Sequence, residues 1–133
     1  MAEGIKILLV DDEELVLRSM EKTLLRASFD VETAGDVNAG LASFKAARST
    51  GEPFDLAILD LNMPGFDGRD DANAGLALLS RLTEIDASLP VIILTAFDEV
   101  ARAKDAVARG ARAYFVKGRE AGLVELVNSI IED

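Results

Sequence analysis

Five short apolar runs, each followed by a stretch of helical periodicity, constrain the fold of this chain more than any other feature of its sequence. Ile5–Val10 is nearly continuous, as a strand buried on both faces should be. Glu13–Ala27 follows, with Leu15, Val16, Met20, Thr23, Leu24 and Ala27 at helical spacing. Val31–Ala34 is a weaker run, expected at a sheet edge. Asp36 is placed to cap a helix carrying Val37, Leu41, Phe44 and Ala47, which Gly51-Glu52-Pro53 ends. Leu56–Leu59 is the third run, and a loop with Pro64, Gly65 and Gly68 leads to the helical stretch Ala72–Ile85. Pro90 introduces Val91–Leu94, and Asp98–Arg109 reads as a helix stopped by Gly110. Ala113–Val116 and the amphipathic stretch Glu120–Ile130 complete the pattern. Strands alternating with helices of this length predict an α/β fold: a doubly wound five-stranded parallel sheet with helices on both faces. No linker or internal repeat interrupts it, so one domain over residues 1–133 is expected, with no output domain in this chain.

In an open parallel sheet, ligands bind beyond the carboxyl ends of the strands. Asp11 and Asp12 follow the first run, Asp60 and Asn62 the third, Thr95 the fourth and Lys117 the fifth. The fold would gather these groups at one rim. Each has a purely structural alternative: Asp11, Asp12 or Thr95 as a helix cap, Asp60 in a turn, Lys117 as a solvated charge. It is their joint placement that points to a site. Clustered carboxylates repel one another unless a cation sits among them. Mg²⁺ suits oxygen ligands of this kind. With Lys117 it can neutralise a phosphoryl group, and aspartate is a competent phosphoryl acceptor.

Composition removes other chemistries. The 133 residues include no His and no Cys, so no imidazole base or thiolate metal site is possible. A net charge of −10 disfavours direct nucleic-acid binding. No run is long enough to span a membrane and no signal peptide is visible, so a cytoplasmic location is expected.

Leu8-Leu9-Val10-Asp11-Asp12-Glu13, Leu59-Asp60-Leu61-Asn62-Met63-Pro64-Gly65-Phe66-Asp67-Gly68, Leu94-Thr95-Ala96 and Tyr114-Phe115-Val116-Lys117 resemble the receiver domains of two-component response regulators. The resemblance covers essentially the whole chain. It implies a flavodoxin-like (βα)5 fold with strand order 2-1-3-4-5. It implies that Asp60 is the phosphoacceptor. Asp12, Asp60 and the backbone carbonyl of Asn62 would be direct Mg²⁺ ligands, with Asp11 acting through a water on the ion. Lys117 would pair with a phosphoryl oxygen, Thr95 would bond another, and Tyr114 would swing inward with Thr95. The implied donor is a phosphohistidine on a histidine kinase or histidine phosphotransfer protein. The implied listener is an output domain or effector protein, with the chain a monomer or weak homodimer. The family catalyses only its own phosphorylation and dephosphorylation.

Two departures from the family pattern stand out. Arg69–Ala74 intervenes before the third helix; an exposed extension or an extra helical turn capped by Asp70 or Asp71 is expected there. Gly118 follows the lysine where relatives usually have proline, often in a cis bond. A cis bond costs about 2.5–4 kcal/mol without proline, so a trans Lys117–Gly118 bond is expected, with a more mobile loop and Lys117 still aimed at Asp60. Competing readings are a pseudo-receiver interaction module, an aspartyl-phosphate phosphatase of the haloacid-dehalogenase type, and a flavodoxin-like cofactor binder. The acids after the first run argue against the last two, and the presence of both Asp60 and Lys117 against the first.

Overall fold

The computed structural model describes residues 4–96, 99–118 and 120–132. Five parallel strands form one sheet: β1 (Lys6–Val10), β2 (Asp30–Ala34), β3 (Leu56–Asp60), β6 (Val91–Thr95) and β7 (Ala113–Val116), in the order β2-β1-β3-β6-β7. Counted within this sheet, that is the expected order 2-1-3-4-5. A separate ribbon pairs β4 (Met63–Pro64) with β5 (Asp70–Asp71).

Alternation along the strands explains the two layers. Leu8, Val10, Ala57, Leu59, Val91 and Ile93 pack with α2 (Val37–Ser49), α3 (Ala74–Ile85) and α4 (Val100–Ala108). Ile7, Leu9, Leu56, Ile58, Ile92 and Leu94 pack with α1 (Glu14–Arg26) and α5 (Leu123–Ile131). Successive side chains of a strand face opposite ways, so an unbroken apolar run serves both layers.

Local chemistry sets the helix starts and stops. Asp36 caps α2 as expected, accepting from Ala39 N at 2.7 Å. α1 buries Leu17, Met20 and Leu24, whereas Leu15, read as part of the apolar stripe, is 85% exposed. The last helical stretch opens as a 3₁₀ turn at Glu120–Gly122 before α5 begins. α4 ends before Gly110, which has φ +120°. Asp98, the expected start of that helix, lies outside the described residues.

Candidate functional site

β1, β3, β6 and β7 end side by side, so the residues that follow them share one rim. Three polar side chains are buried among the described residues, Asp11, Asp60 and Thr95, and all three lie here. Buried polar groups cost stability unless they are paired, which marks this rim as built for something other than packing. One oxygen from each of Asp11, Asp12 and Asp60 lies within 4.8 Å of the others. Lys117 Nζ reaches in from the end of β7. It lies 3.1 Å from Asp60 Oδ1 and 3.1 Å from Asp11 Oδ2, and it donates to Glu13 Oε1 at 2.5 Å.

These contacts decide between capping and convergence. Asp11 does accept Glu13 N at 2.9 Å, so part of its role is local. α1 itself starts from Glu13, with no side-chain cap. Among the described residues the Thr95 hydroxyl caps no helix; it donates to the Ala96 carbonyl at 3.1 Å. Asp60 Oδ2 is buried without a hydrogen-bond partner. Tyr114 is half-buried against the layer formed by α2, α3 and α4. Glu13, passed over as one acid in a run, is the residue that sequence reasoning missed here. Only the fold brings it to Lys117, across the sheet rim.

The electrostatics follow from burial. Loss of water, and then the charge of Asp11, push the Asp60 carboxyl up to about 8, against the pull of Lys117. For Lys117, burial works against the ammonium, but Glu13, Asp60 and Asp11 outweigh it and raise its pKa. An unpartnered buried oxygen and three converging carboxylates form a donor set that a hard divalent cation such as Mg²⁺ fits.

The segment before α3 differs from expectation. Asp70 and Asp71 do not begin a helical turn: they form β5 and pair back onto Met63–Pro64. Gly68, at φ +81°, turns the ribbon, and Gly65 N donates to Arg69 O at 2.7 Å. Asp71 accepts Asn73 N at 2.8 Å, and α3 starts from Asn73 without a side-chain cap. The expectation of an exposed extension over Arg69–Ala74 is met for residues 69–73 but not for Ala74, which is buried inside α3.

Gly75 shows why the helix starts where it does. A Cβ there would stand 2.2 Å from the Asp60 carbonyl oxygen, so the helix can press against the acceptor strand only through a glycine. The glycine that seats α3 is therefore Gly75. The ribbon walls a cavity of about 340 Å³ that Asp12, Asn62 and Ala72 also line. At the opposite side of the rim, no cis bond occurs among the described residues, so Lys117–Gly118 is trans as expected, with Gly118 at φ +92°.

Residues 7–128 match the response regulator receiver domain. The chain belongs to this family. Response regulator protein FleR of Pseudomonas aeruginosa is 36% identical over 123 residues, covering 92% of this chain and 24% of that protein. Two-component response regulator ORR24 of Oryza sativa subsp. indica is 33% identical over 114 residues, covering 86% of this chain and 16% of that protein. The chain thus spans a quarter or less of these curated relatives. A response regulator receiver domain protein from Clostridium thermocellum superposes with a TM-score of 0.80 at 27% identity, covering 96% of this chain and 94% of that one. CheY in the CheX–CheY–BeF3–Mg²⁺ complex of Borrelia burgdorferi gives a TM-score of 0.80 at 25% identity, over 95% of this chain and 88% of the other. Family membership sets aside the dehalogenase-type phosphatase and the flavodoxin-like cofactor binder. No helix of the described residues is long and apolar enough to cross a membrane.

Proposed function

We propose that this receiver domain accepts a phosphoryl group on Asp60 from a phosphohistidine donor, in a Mg²⁺-dependent reaction, and changes conformation in response. The observation that carries this reading is the buried Asp60 carboxylate, paired with Lys117 and crowded by Asp11 and Asp12. An Asp60 oxygen attacks phosphorus, the bond from phosphorus to the donor imidazole breaks, and an acyl phosphate forms. Lys117 holds a charge next to the oxygens that become more negative, and Thr95 can turn its hydroxyl from the Ala96 carbonyl to one of them. Mg²⁺, which Asp12, Asp60 and the Asn62 carbonyl would hold with Asp11 acting through a water, supplies the remaining neutralisation of charge. A structure of the same fold that contains BeF3 and Mg²⁺ supports that choice of ion.

The donor would be a histidine kinase or histidine phosphotransfer protein, and the listener an output domain or effector; both readings come from the family, and a cytoplasmic location would go with them. A pseudo-receiver would not need the Asp60–Lys117 pair that this chain keeps. Treatment with acetyl phosphate and Mg²⁺ should add one phosphoryl mass to the parent protein and none to Asp60→Asn. Equal labelling of the two proteins would refute the assignment.

A further inference from the structure

Arg102, in the first turn of α4, sits where three parts of the molecule meet. Its Nη1 donates to Glu99 Oε2 and, at 3.3 Å, to Asn62 Oδ1. Its Nη2 donates to Asn73 Oδ1 at 3.0 Å. Asn62 Nδ2 in turn lies 2.8 Å and 2.7 Å from the two Glu99 carboxylate oxygens. Both ends of the Asn62 amide are thus gripped by the start of α4. The same guanidinium holds the residue that leads from the inserted ribbon into α3. A planar guanidinium holds its donors in a fixed fork on separate nitrogens, so it reaches partners spaced more widely than a single ammonium nitrogen can.

We propose that Arg102 is a positioning residue, which fixes Asn62 and the ribbon to the start of α4 and thereby sets Mg²⁺ affinity and the lifetime of the phosphorylated state. The inference rests on the reading of Asp60 as acceptor. Asn62 stands two residues beyond Asp60, and its main chain would supply a ligand. Its side chain is therefore a handle by which α4 holds the ligand loop. Groups that orient a ligand from behind matter to a metal site nearly as much as the ligands do. Arg102 also neutralises Glu99; without it another free carboxylate would stand at the rim of an already acidic site.

The grip connects to the switch side of the molecule. The Ala96 carbonyl accepts both the Thr95 hydroxyl, at 3.1 Å, and Glu99 N, at 3.0 Å. When Thr95 turns to a phosphoryl oxygen, it leaves a carbonyl that also anchors Glu99. A change at Thr95 then reaches Asn62 and, through Arg102, the ribbon.

The test is Mg²⁺ titration of the full chain, followed by amide NMR signals including that of Asn62, in parent, Arg102→Gln, Arg102→Lys and Asn73→Ala. Melting of each metal-free protein reports on folding. Arg102→Gln is expected to bind Mg²⁺ about tenfold more weakly, the low end for loss of a group that orients ligands, and to shorten the phosphate lifetime. Arg102→Lys should recover part of the affinity, because it keeps a charge beside Glu99. Asn73→Ala should uncouple ribbon signals from those of α4 with a smaller change in affinity. Folded Arg102→Gln that binds Mg²⁺ as the parent does, with an unshifted Asn62 amide, overturns the proposal alone. A parent that takes no phosphoryl group on Asp60 under acetyl phosphate overturns the functional reading beneath it as well.

Discussion

Gly118 sits at φ +92°, while proline is fixed at about −65°. Restoring the proline common in relatives is therefore not a neutral repair. Gly118→Pro must rebuild the turn that brings Lys117 within 3.1 Å of Asp60. It should melt several degrees below the parent and accept phosphoryl from acetyl phosphate at least several-fold more slowly. Gly118→Ala keeps the turn at a cost of about 1–2 kcal/mol, the penalty of a side chain in a left-handed conformation. Melting curves and labelling rates compare the two; a proline variant as stable and as fast as the parent would count against this account of the loop. Thr95 offers a second test at this scale. It is 1% exposed, and its hydroxyl donates to the neighbouring Ala96 carbonyl rather than to Asp60. A ligand shifts an equilibrium only through contacts that differ between states, and this hydroxyl supplies one. Thr95→Ala should be phosphorylated yet show a much smaller shift of the Tyr114 ring signals. Equal shifts in both proteins would break the proposed link between the two residues.

At the scale of elements, the ribbon is an addition hung on an intact frame. Its Phe66 carbonyl accepts from Asn38 Nδ2 of α2 at 3.1 Å, and the Phe66 ring lies 5.4 Å from the Arg81 guanidinium of α3. Because Met63 pairs with Asp71 and Pro64 with Asp70, the ribbon's two arms are neighbours at its base. Removing residues 66–70 joins Gly65 to Asp71 and leaves Gly75 seated against the acceptor strand. The shortened protein should fold with a similar melting temperature and lose phosphate faster, since a wall of the cavity beside Asp12 is gone. Melting and phosphate-release kinetics check this; an unchanged lifetime would make the ribbon a tolerated surface insertion. The main elements were legible in the sequence because a strand buried on both faces writes itself as an apolar run. The rim residues were legible because parallel strands end together. The ribbon was not: Asp70-Asp71 has no strand preference, and its pairing comes from the turn at Gly68. Arg102, Glu99 and Asn73 were equally silent, since contacts between residues up to 40 positions apart leave no local pattern.

Over the whole molecule, the site is a region where stability yields to chemistry. The sheet buries aliphatic side chains on both faces, and against that background stand Asp11, Asp60 and Thr95. Asp60 carries the largest consequence. Its carboxyl is raised from 3.8 to about 8, first by burial and then by Asp11. A carboxyl raised on folding favours the folded state while it stays protonated. Its contribution is complete below about pH 4 and is lost as pH rises through about 8. Metal-free parent protein should therefore weaken across that window, and Asp60→Asn, which cannot ionise there, should weaken less. Each pH unit across the window removes about 1.4 kcal/mol, so the gap between them should approach roughly 5 kcal/mol at pH 8, or more than about 10 °C in melting temperature. The other acids, which bring the net charge to −10, repel one another in both proteins, so the difference isolates Asp60. A divalent cation favours the ionised carboxylate and stabilises by mass action whatever state binds it. Saturating Mg²⁺ should close the gap, and do so more completely at pH 8 than at pH 5, where protons compete for the same oxygens. Thermal melts of both proteins from pH 4 to pH 9, with and without Mg²⁺, measure each of these slopes. Parallel curves for parent and Asp60→Asn in the absence of metal would show that the buried carboxylate is already neutralised by Lys117, and that Mg²⁺ relieves no strain when it binds.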